Sequence, residues 1–244
     1  MKEYWEITKE RGVATQAVWG LQPAFELNNL TRAQHGTLTD RLPTLAQARD
    51  TAESNLTDAT SAKERLFTKL QNLAVRVPGL LDGLLEDADP LHDQLDKIFA
   101  VDADLSEAHT LRRCRLILPL WTEYNAARLA LTPPKAVLTL DYLGATVTLA
   151  EFSTTMDTAQ TAQKTEAARQ QDVTTAKGAL RAADRQSDRA NKRWYKAWLQ
   201  AYPAGTPEGD AALADIPTEQ GTPAPQPLEI LTVTPQPDHT VRVS

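Results

Sequence analysis

Residues Ala150 to Tyr202 read AEFSTTMDTAQTAQKTEAARQQDVTTAKGALRAADRQSDRANKRWYKAWLQAY, with no proline and one glycine, Gly178. Small and apolar residues return every seven positions in two series, offset by three: Phe152, Ala159, Glu166, Val173, Leu180, Ser187, Trp194 and Ala201, then Thr155, Ala162, Arg169, Ala176, Ala183, Ala190 and Ala197. Spacings of three and four place both series on one side of an α-helix. A helix of about 50 residues is about 75 Å long. Because the stripe is mostly alanine, it predicts close contact with a partner helix.

A second long helical pattern runs from about Pro23 to Val77. Its apolar stripe has the same spacing: Leu38, Leu45, Ala52, Ala59, Leu66 and Leu73, joined by Ala48, Leu56, Ala62 and Leu70. Pro43 predicts a kink or a short break near Leu42, and Pro78 predicts the end of this helix. The main structural prediction is that the two long helices lie antiparallel, with their alanine stripes facing each other.

Shorter elements complete the helical part, which is predicted to span residues 1–202. Asp89 followed by Pro90 predicts a helix start, and a further helix begins near Ser106. Residues 135–149, KAVLTLDYLGATVTL, alternate around Gly144 and predict two strands with a tight turn. The predicted fold class is therefore mainly α: an elongated, antiparallel, coiled-coil-like helical bundle with a small β-hairpin.

The composition changes after Tyr202. Six prolines at positions 203, 207, 217, 223, 225 and 227 predict an extended linker over residues 203–227, with a helical turn from Glu208 to Ala214. Residues 228–244 alternate in two runs and predict a terminal strand pair.

This layout resembles uncharacterised bacterial proteins in which a long helical hairpin, often with a small strand pair before its second helix, precedes a proline-rich linker. In those proteins strands of the fibronectin type III kind commonly follow. Residues 229–244, EILTVTPQPDHTVRVS, are similar to the first two strands of such a sandwich. The resemblance implies a layout and no activity.

The bulk composition restricts the classes of function. The 244 residues are 41% hydrophobic and 24% charged, with a net charge of −6, which argues against a nucleic-acid partner. No window approaches eighteen apolar residues, so no membrane span is expected. No apolar run follows the charged residues at the start, so no signal peptide is expected in this sequence, and the default location is cytoplasmic.

The sequence carries no P-loop, GxGxxG, HExxH or GxSxG motif. One acidic run stands out, formed by Glu86, Asp87, Asp89, Asp93, Asp96, Asp102, Asp104 and Glu107, with His92 and His109 near it. The spacing of a calcium loop fails there because Glu107 stands where glycine is needed. A solvated cap is the favoured interpretation, and adventitious cation binding is the alternative.

Other reactive side chains also favour structural roles. All four histidines are expected on the surface, and Cys114 is expected to be a buried thiol. The mixed charges from Asp184 to Arg193 are expected on a solvated face. No catalytic residue, metal site or cofactor is therefore predicted, and the protein is not expected to be an enzyme.

Aromatic and strand residues are the candidates for an interface: Trp5, Trp19, Trp194, Tyr195, Trp198, Tyr202, Leu228, Ile230, Val233, Val241 and Val243. Two interpretations are favoured for the aromatic ones. They either close the end of the helical bundle or contact a neighbouring subunit, since tryptophan and tyrosine dominate interfaces. For Trp194, Tyr195, Trp198 and Tyr202, a platform that binds carbohydrate or a proline-rich peptide is a further alternative.

The favoured function is a structural, self-assembling protein that forms a homo-oligomer (a filament, tube or shell) by exchange of its C-terminal arm. The partner is thus a second copy of the chain. The alternative is a monomeric helical stalk or binding module that presents a C-terminal β domain. An enzyme that uses the acidic run is a third possibility and would need a pocket with a bound metal.

Overall fold

The structure is a computed structural model that describes residues 2–27, 29–86, 89–101 and 106–216, together with the backbone pairing of residues 234–235 and 241–242. The fold is mainly α, as predicted. In chain order the described elements are α1 Tyr4–Trp19, α2 Arg32–Asp82, α3 His92–Phe99, α4 Glu107–Ala130, β1 Leu140–Tyr142, β2 Ala145–Val147, α5 Leu149–Ala201, α6 Pro207–Asp215, β3 Thr234–Pro235 and β4 Val241–Arg242.

Helix α5 agrees with the predicted bounds to within one residue. Thr148 and Glu151 form a capping box at its start, because the Glu151 carboxylate accepts from Thr148 N at 2.7 Å and Thr148 Oγ1 accepts from Glu151 N at 3.2 Å. The first heptad series is buried at every position except Glu166, which is half-buried, and Ala201, which is exposed. The first series therefore lies mainly on the packed face of the helix, whereas the second series is buried only at Thr155, Ala183 and Ala190 and is exposed at Arg169.

The predicted end of α2 at Pro78 is wrong, and of the kink or short break predicted near Leu42 the break does not occur, because one helix runs from Arg32 through Pro43 and Pro78 to Asp82. Each proline removes one hydrogen bond of the helix, but apolar side chains on both sides of each proline are buried. Leu42 and Ala46, before and after Pro43, are buried, and so are Val77 and Leu81, before and after Pro78. Helix α2 also begins later, at Arg32, than the predicted start at about Pro23.

The described residues form two compact units, one drawn from Met1–Ala46 and Ala179–Ser244 and the other from Gln47–Gly178. Both long helices contribute to each unit. The first unit has two apolar clusters, one around Trp19 and Trp194 and one around Leu42 and Leu180. The second unit has one larger cluster, in which α2, α3, α4, the β1–β2 hairpin and the start of α5 bury their apolar residues.

Within each unit α2 and α5 run antiparallel, as predicted. In the first unit, His35 contacts Asn191 and Arg41 contacts Gln186. In the second unit, Glu53 pairs with Lys177 at 2.8 Å, and Lys63 pairs with Glu166 at 2.7 Å. In both units the residue numbers rise along α2 as those of the partners fall along α5.

The shorter elements largely follow the sequence prediction. Ser106 caps α4 by accepting from His109 N at 3.3 Å. Helix α3 begins at His92, three residues after Asp89 and thus later than the start predicted at Asp89 and Pro90, and the Asp89 carboxylate accepts from Leu91 N at 2.9 Å. The β1–β2 hairpin pairs Leu140 with Val147 and Tyr142 with Ala145.

Two residues, Leu143 and Gly144, form the turn of this hairpin. Their φ angles are +53° and +79°, as a type I′ turn requires at both central positions.

At the C-terminal side, Thr206 caps α6 and Pro207 takes its first position, which confirms the predicted helical turn. Strands β3 and β4 pair Thr234 with Arg242 and Pro235 with Val241. The interface candidates Leu228, Ile230, Val233 and Val243 lie outside the described residues, as does most of the predicted terminal strand pair.

Candidate functional site

Five aromatic rings form a continuous cluster at the C-terminal end of α5, called here the aromatic cluster: Trp19, Phe25, Trp194, Trp198 and Tyr202. Trp194 and Trp198 stack with ring centroids 4.7 Å apart. Phe25 meets Trp198 edge-on at 5.0 Å, and Tyr202 lies 4.6 Å from Trp198. Edge-on and offset contacts are the favourable arrangements of aromatic rings, so the cluster holds α1, α5 and the loop after α1 together.

The structure places the predicted interface residues in different environments. Trp19, Trp194 and Trp198 are at most 1% exposed and pack within their own chain, as in the first of the two interpretations. Trp5, Tyr195 and Tyr202 are half-buried. Contact of these partly exposed rings with a second copy stays a prediction.

Helix α6 covers the aromatic cluster and thereby anchors the root of the C-terminal arm. The Glu208 carbonyl accepts from Trp198 Nε1 at 3.0 Å, and the Glu208 carboxylate accepts from Gln22 at 2.9 Å. Ala212 and Ile216 are buried against the rings. A side chain at Gly209 would collide with backbone oxygens of the turn before α6, so glycine permits the close approach there.

Beside the aromatic cluster, α1, α2 and α5 bring together a set of polar side chains that are buried, except for the half-buried Gln16, and are called here the polar layer: Thr8, Arg11, Gln16, His35, Asp188 and Asn191. His35 is fully buried, which makes the predicted surface location of this histidine wrong. Its Nε2 donates to Asn191 Oδ1 at 2.7 Å, since Asn191 uses its amide nitrogen to donate to the Thr8 carbonyl. His35 Nδ1 then accepts from Gln16 at 2.7 Å. Burial lowers the pKa of His35 from its ordinary 6.5.

The charged residues of the polar layer contradict a second prediction at Asp188, namely that the mixed charges from Asp184 to Arg193 lie on a solvated face. Asp188 is 9% exposed rather than solvated, and it accepts from Arg11 at 3.0 Å and pairs with Lys192 at 3.0 Å. Buried charges are tolerated when they are paired in this way. Since the groups of the polar layer bond mainly to one another across three helices, the layer fixes how those helices meet.

The candidates for chemistry are dispersed. Cys114 is buried, as predicted, and desolvation raises the pKa of its thiol to about 12, so the nucleophilic thiolate does not form near neutral pH. Asp87, Asp102 and Asp104 of the acidic run lie outside the described residues. Among the residues that the structure does describe, no group of three or more His, Cys, Asp or Glu side chains is arranged to hold a metal ion.

At the β1–β2 hairpin, some backbone N–H and C=O groups have no hydrogen-bond partner among the described residues. In an extended strand, successive residues direct their N–H and C=O groups to opposite edges. The two-residue turn makes Leu140 and Tyr142 the residues that hydrogen-bond to β2. Leu138, two residues before β1, has both backbone groups bound by α4: Asn125 Oδ1 accepts from Leu138 N at 2.7 Å, and Trp121 Nε1 donates to the Leu138 carbonyl at 3.2 Å.

Asp141, between Leu140 and Tyr142, faces the outer edge of β1, and Val137 and Thr139 lie in the segment just before β1. Val137, Thr139 and Asp141 are exposed, and their backbone N–H and C=O groups have no hydrogen-bond partner in the part of the chain that the structure describes. These groups form what is called here the open edge.

The outer edge of β2 is much shorter than the open edge. Thr146 directs its backbone groups to this edge. Thr148, two residues later, already donates its N–H to Glu151 in the cap of α5. The hairpin therefore has one long open edge and one that the following helix closes.

Sequence reasoning located the hairpin but not its open edge, nor the polar layer. The signal for the edge was present in the turn, because a two-residue turn at Leu143 and Gly144 fixes which residues of β1 face β2. The polar layer carried no local signal, since its members are brought together from three distant parts of the chain.

Comparison of the chain with protein-family models, with curated proteins and with solved structures finds no match. Within the described residues, the helices include none that is both long and apolar enough to cross a membrane.

Proposed function

We propose that this protein is a non-enzymatic structural protein that self-associates into a homo-oligomer by exchanging its C-terminal arm, residues 217–244. One copy donates strand residues from the arm, and a second copy accepts them.

The observation that carries this proposal is the presence of two small, separate sheets. Strands β1 and β2 pair over three residues each, and β3 and β4 over two each. A two-stranded sheet is marginal in water, and unpaired strand edges are templates for another chain. Joining a strand of the arm of one copy to the β1–β2 hairpin of another would satisfy backbone groups of the hairpin that have no partner among the described residues.

The arm has a fixed root and sufficient length. Ile216 is buried at the end of α6 against the aromatic cluster, so the arm leaves the body at a defined point. Residues 217–233 span at most about 60 Å when fully extended, which is enough to reach a neighbouring molecule. A reciprocal exchange closes into a dimer, whereas a head-to-tail exchange propagates into a filament, tube or shell.

The proposal is tested by deleting residues 222–244 and measuring the mass in solution by light scattering over a range of concentrations. The deletion leaves every described helix in place, so we expect the assembly to dissociate to single chains with unchanged helical content by circular dichroism. The matched control replaces residues 222–244 with a glycine–serine segment of the same length, which should also be monomeric. Assembly that persists in both variants contradicts arm exchange.

A monomeric helical stalk or binding module that presents a C-terminal β domain is the second candidate. The observation in its favour is that β3 and β4 pair with each other within one chain. This function predicts a monodisperse monomer at every concentration of the full chain, and the same light-scattering series therefore decides between the two.

A further inference from the structure

We propose that the open edge at Val137, Thr139 and Asp141 is the acceptor for the arm, and that residues 228–233 of a second copy pair with it as an added strand. This inference rests on the proposed function for the identity of the donor as a second copy. It goes further by assigning the acceptor to the outer edge of β1 and of the segment just before it.

The first argument is the continuity of the open edge. Asp141 in β1 and Val137 and Thr139 just before it have unbonded N–H and C=O groups within the described residues, and an antiparallel strand that extended the pairing from Asp141 back to Val137 would form about six backbone hydrogen bonds with them. The edge of β2 offers only Thr146 before the cap of α5 begins. An added strand of useful length therefore has one place to dock on this hairpin.

The second argument is that the open edge is held rigidly from behind. Arg128 Nε donates to the Ala136 carbonyl at 2.6 Å, and α4 also binds both backbone groups of Leu138. Leu138 and Val147 are buried in the core of this unit. A pre-formed edge loses little conformational freedom when a strand is added, which favours binding.

The third argument concerns the chemistry of the donor. Residues 228–233, LEILTV, contain no proline, so every residue has an N–H to donate, whereas Pro235 and Pro237 interrupt the sequence that follows. Both faces of this segment carry apolar side chains. The side chain of Val137, one of the residues of the open edge, is 45% exposed and supplies an apolar neighbour for the side chains of the donor segment.

Two measurements on the full chain test the inference. The first is hydrogen exchange of the unmodified protein at low and high concentration. Assembly should slow exchange of the amides of Val137, Thr139 and Asp141 by about tenfold or more, because a bonded strand amide exchanges only when the strand opens.

The second measurement uses Thr139→Pro, which removes one N–H from the open edge and suits an extended backbone. Thr139→Val is the matched control, since it keeps the N–H and the branched shape. We expect the proline variant to shift the light-scattering midpoint of assembly to at least tenfold higher concentration and the valine variant to behave as the unmodified chain.

The outcomes separate this inference from the proposed function. An assembled chain whose 137, 139 and 141 amides stay unprotected overturns the acceptor assignment and leaves arm exchange intact. The acceptor assignment is likewise overturned, and arm exchange left intact, if deletion of residues 222–244 abolishes assembly while Thr139→Pro assembles normally. A chain that is monomeric at every concentration overturns both. The exchange measurement needs no variant, so its result stands even if Thr139→Pro fails to fold.

Discussion

At the scale of single residues, Gly12 permits a close approach of α1 to Thr39 of α2. A Cβ added at Gly12 would lie 2.8 Å from Thr39 Cγ2 and closer still to Thr39 Oγ1. Thr39 has little room to yield, because it is β-branched and its hydroxyl donates to the His35 carbonyl at 3.2 Å. The absent side chain therefore sets the spacing of the two helices beside the polar layer.

Gly12→Ala should lower the free energy of unfolding by about 1–3 kcal/mol through overpacking, despite the better helix propensity of alanine. The matched control is Gly178→Ala in α5, where an added Cβ meets nothing within 4 Å, and it should raise the free energy of unfolding by about 0.5–1 kcal/mol. Chemical denaturation measures both. Equal effects of the two substitutions would contradict the close approach, whereas partial recovery in Gly12→Ala with Thr39→Ala would support it.

His35 gives the polar layer a pH dependence. Burial lowers its pKa from 6.5 in the folded chain, so below pH 6.5 the unfolded chain binds a proton that the folded chain does not. The free energy of unfolding therefore falls as the pH drops from 6.5 towards the folded-state pKa, by at most about 1.4 kcal/mol per pH unit for this single proton. His35→Gln should lower stability at pH 7.5 but flatten this slope between pH 5 and 6.5. A slope that is unchanged in His35→Gln would assign the effect to other groups.

At the scale of elements, a polar network joins three helices of the second unit. Lys63 of α2 contacts Glu107 at the start of α4 and Glu166 of α5, each at 2.7 Å. Thr60 donates to Glu166 at 3.0 Å and Gln163 donates to Glu107 at 2.9 Å. The pKa of Glu166 is lowered from 4.5, first by the hydrogen bond from Lys63. The stabilisation is thus present above pH 4.5 and is lost as the pH falls through the folded-state pKa.

Lys63→Met should lower the free energy of unfolding at pH 7 by about 1–2 kcal/mol, because two partly buried carboxylates lose their shared cation. The carboxylate side chains stay 32% and 24% exposed, so water limits the loss. The matched control is Lys177→Met, which removes a pair with Glu53 between the same two helices whose side chains are 45% and 44% exposed. That exposed pair should change stability by less than about 1 kcal/mol. A larger loss from Lys177→Met than from Lys63→Met would refute the role of the network.

The elements also show which parts of the fold the sequence could reveal. Heptad spacing predicted α5 and its buried face because periodicity is a local property. Prolines 43 and 78 misled the prediction of α2, because the local cost of a proline is offset by distant residues, such as Leu180 against Leu42. His35 was misplaced for the same reason, since its partners come from α1 and α5. The aromatic residues were found, but the choice between burial and an interface depended on α6 lying over them.

At the scale of the whole molecule, apolar burial is unevenly distributed along the long helices of the second unit. Every residue from 47 to 66 of α2, and every residue from 160 to 172 of α5, is exposed or half-buried. The adjoining parts are well packed: Phe67, Leu70 and Leu73 are buried in α2, and Phe152, Met156 and Ala159 in α5. Most helical stability in proteins comes from packing of an apolar face rather than from propensity. The sparsely packed segments should therefore open more readily than their neighbours.

Hydrogen exchange followed by mass spectrometry tests this directly on the unmodified chain. Amides of residues 160–172 should exchange at least about tenfold faster than those of residues 153–159, because a local opening there exposes little apolar surface. The same contrast is expected between residues 47–66 and 67–81 of α2. Both comparisons lie inside one continuous helix, so the exposed fraction of the side chains is the main variable. Uniform protection along α5 from residue 153 to 172 would mean that the alanine contacts and the Lys63 network stabilise the helix pair as strongly as the large apolar side chains do.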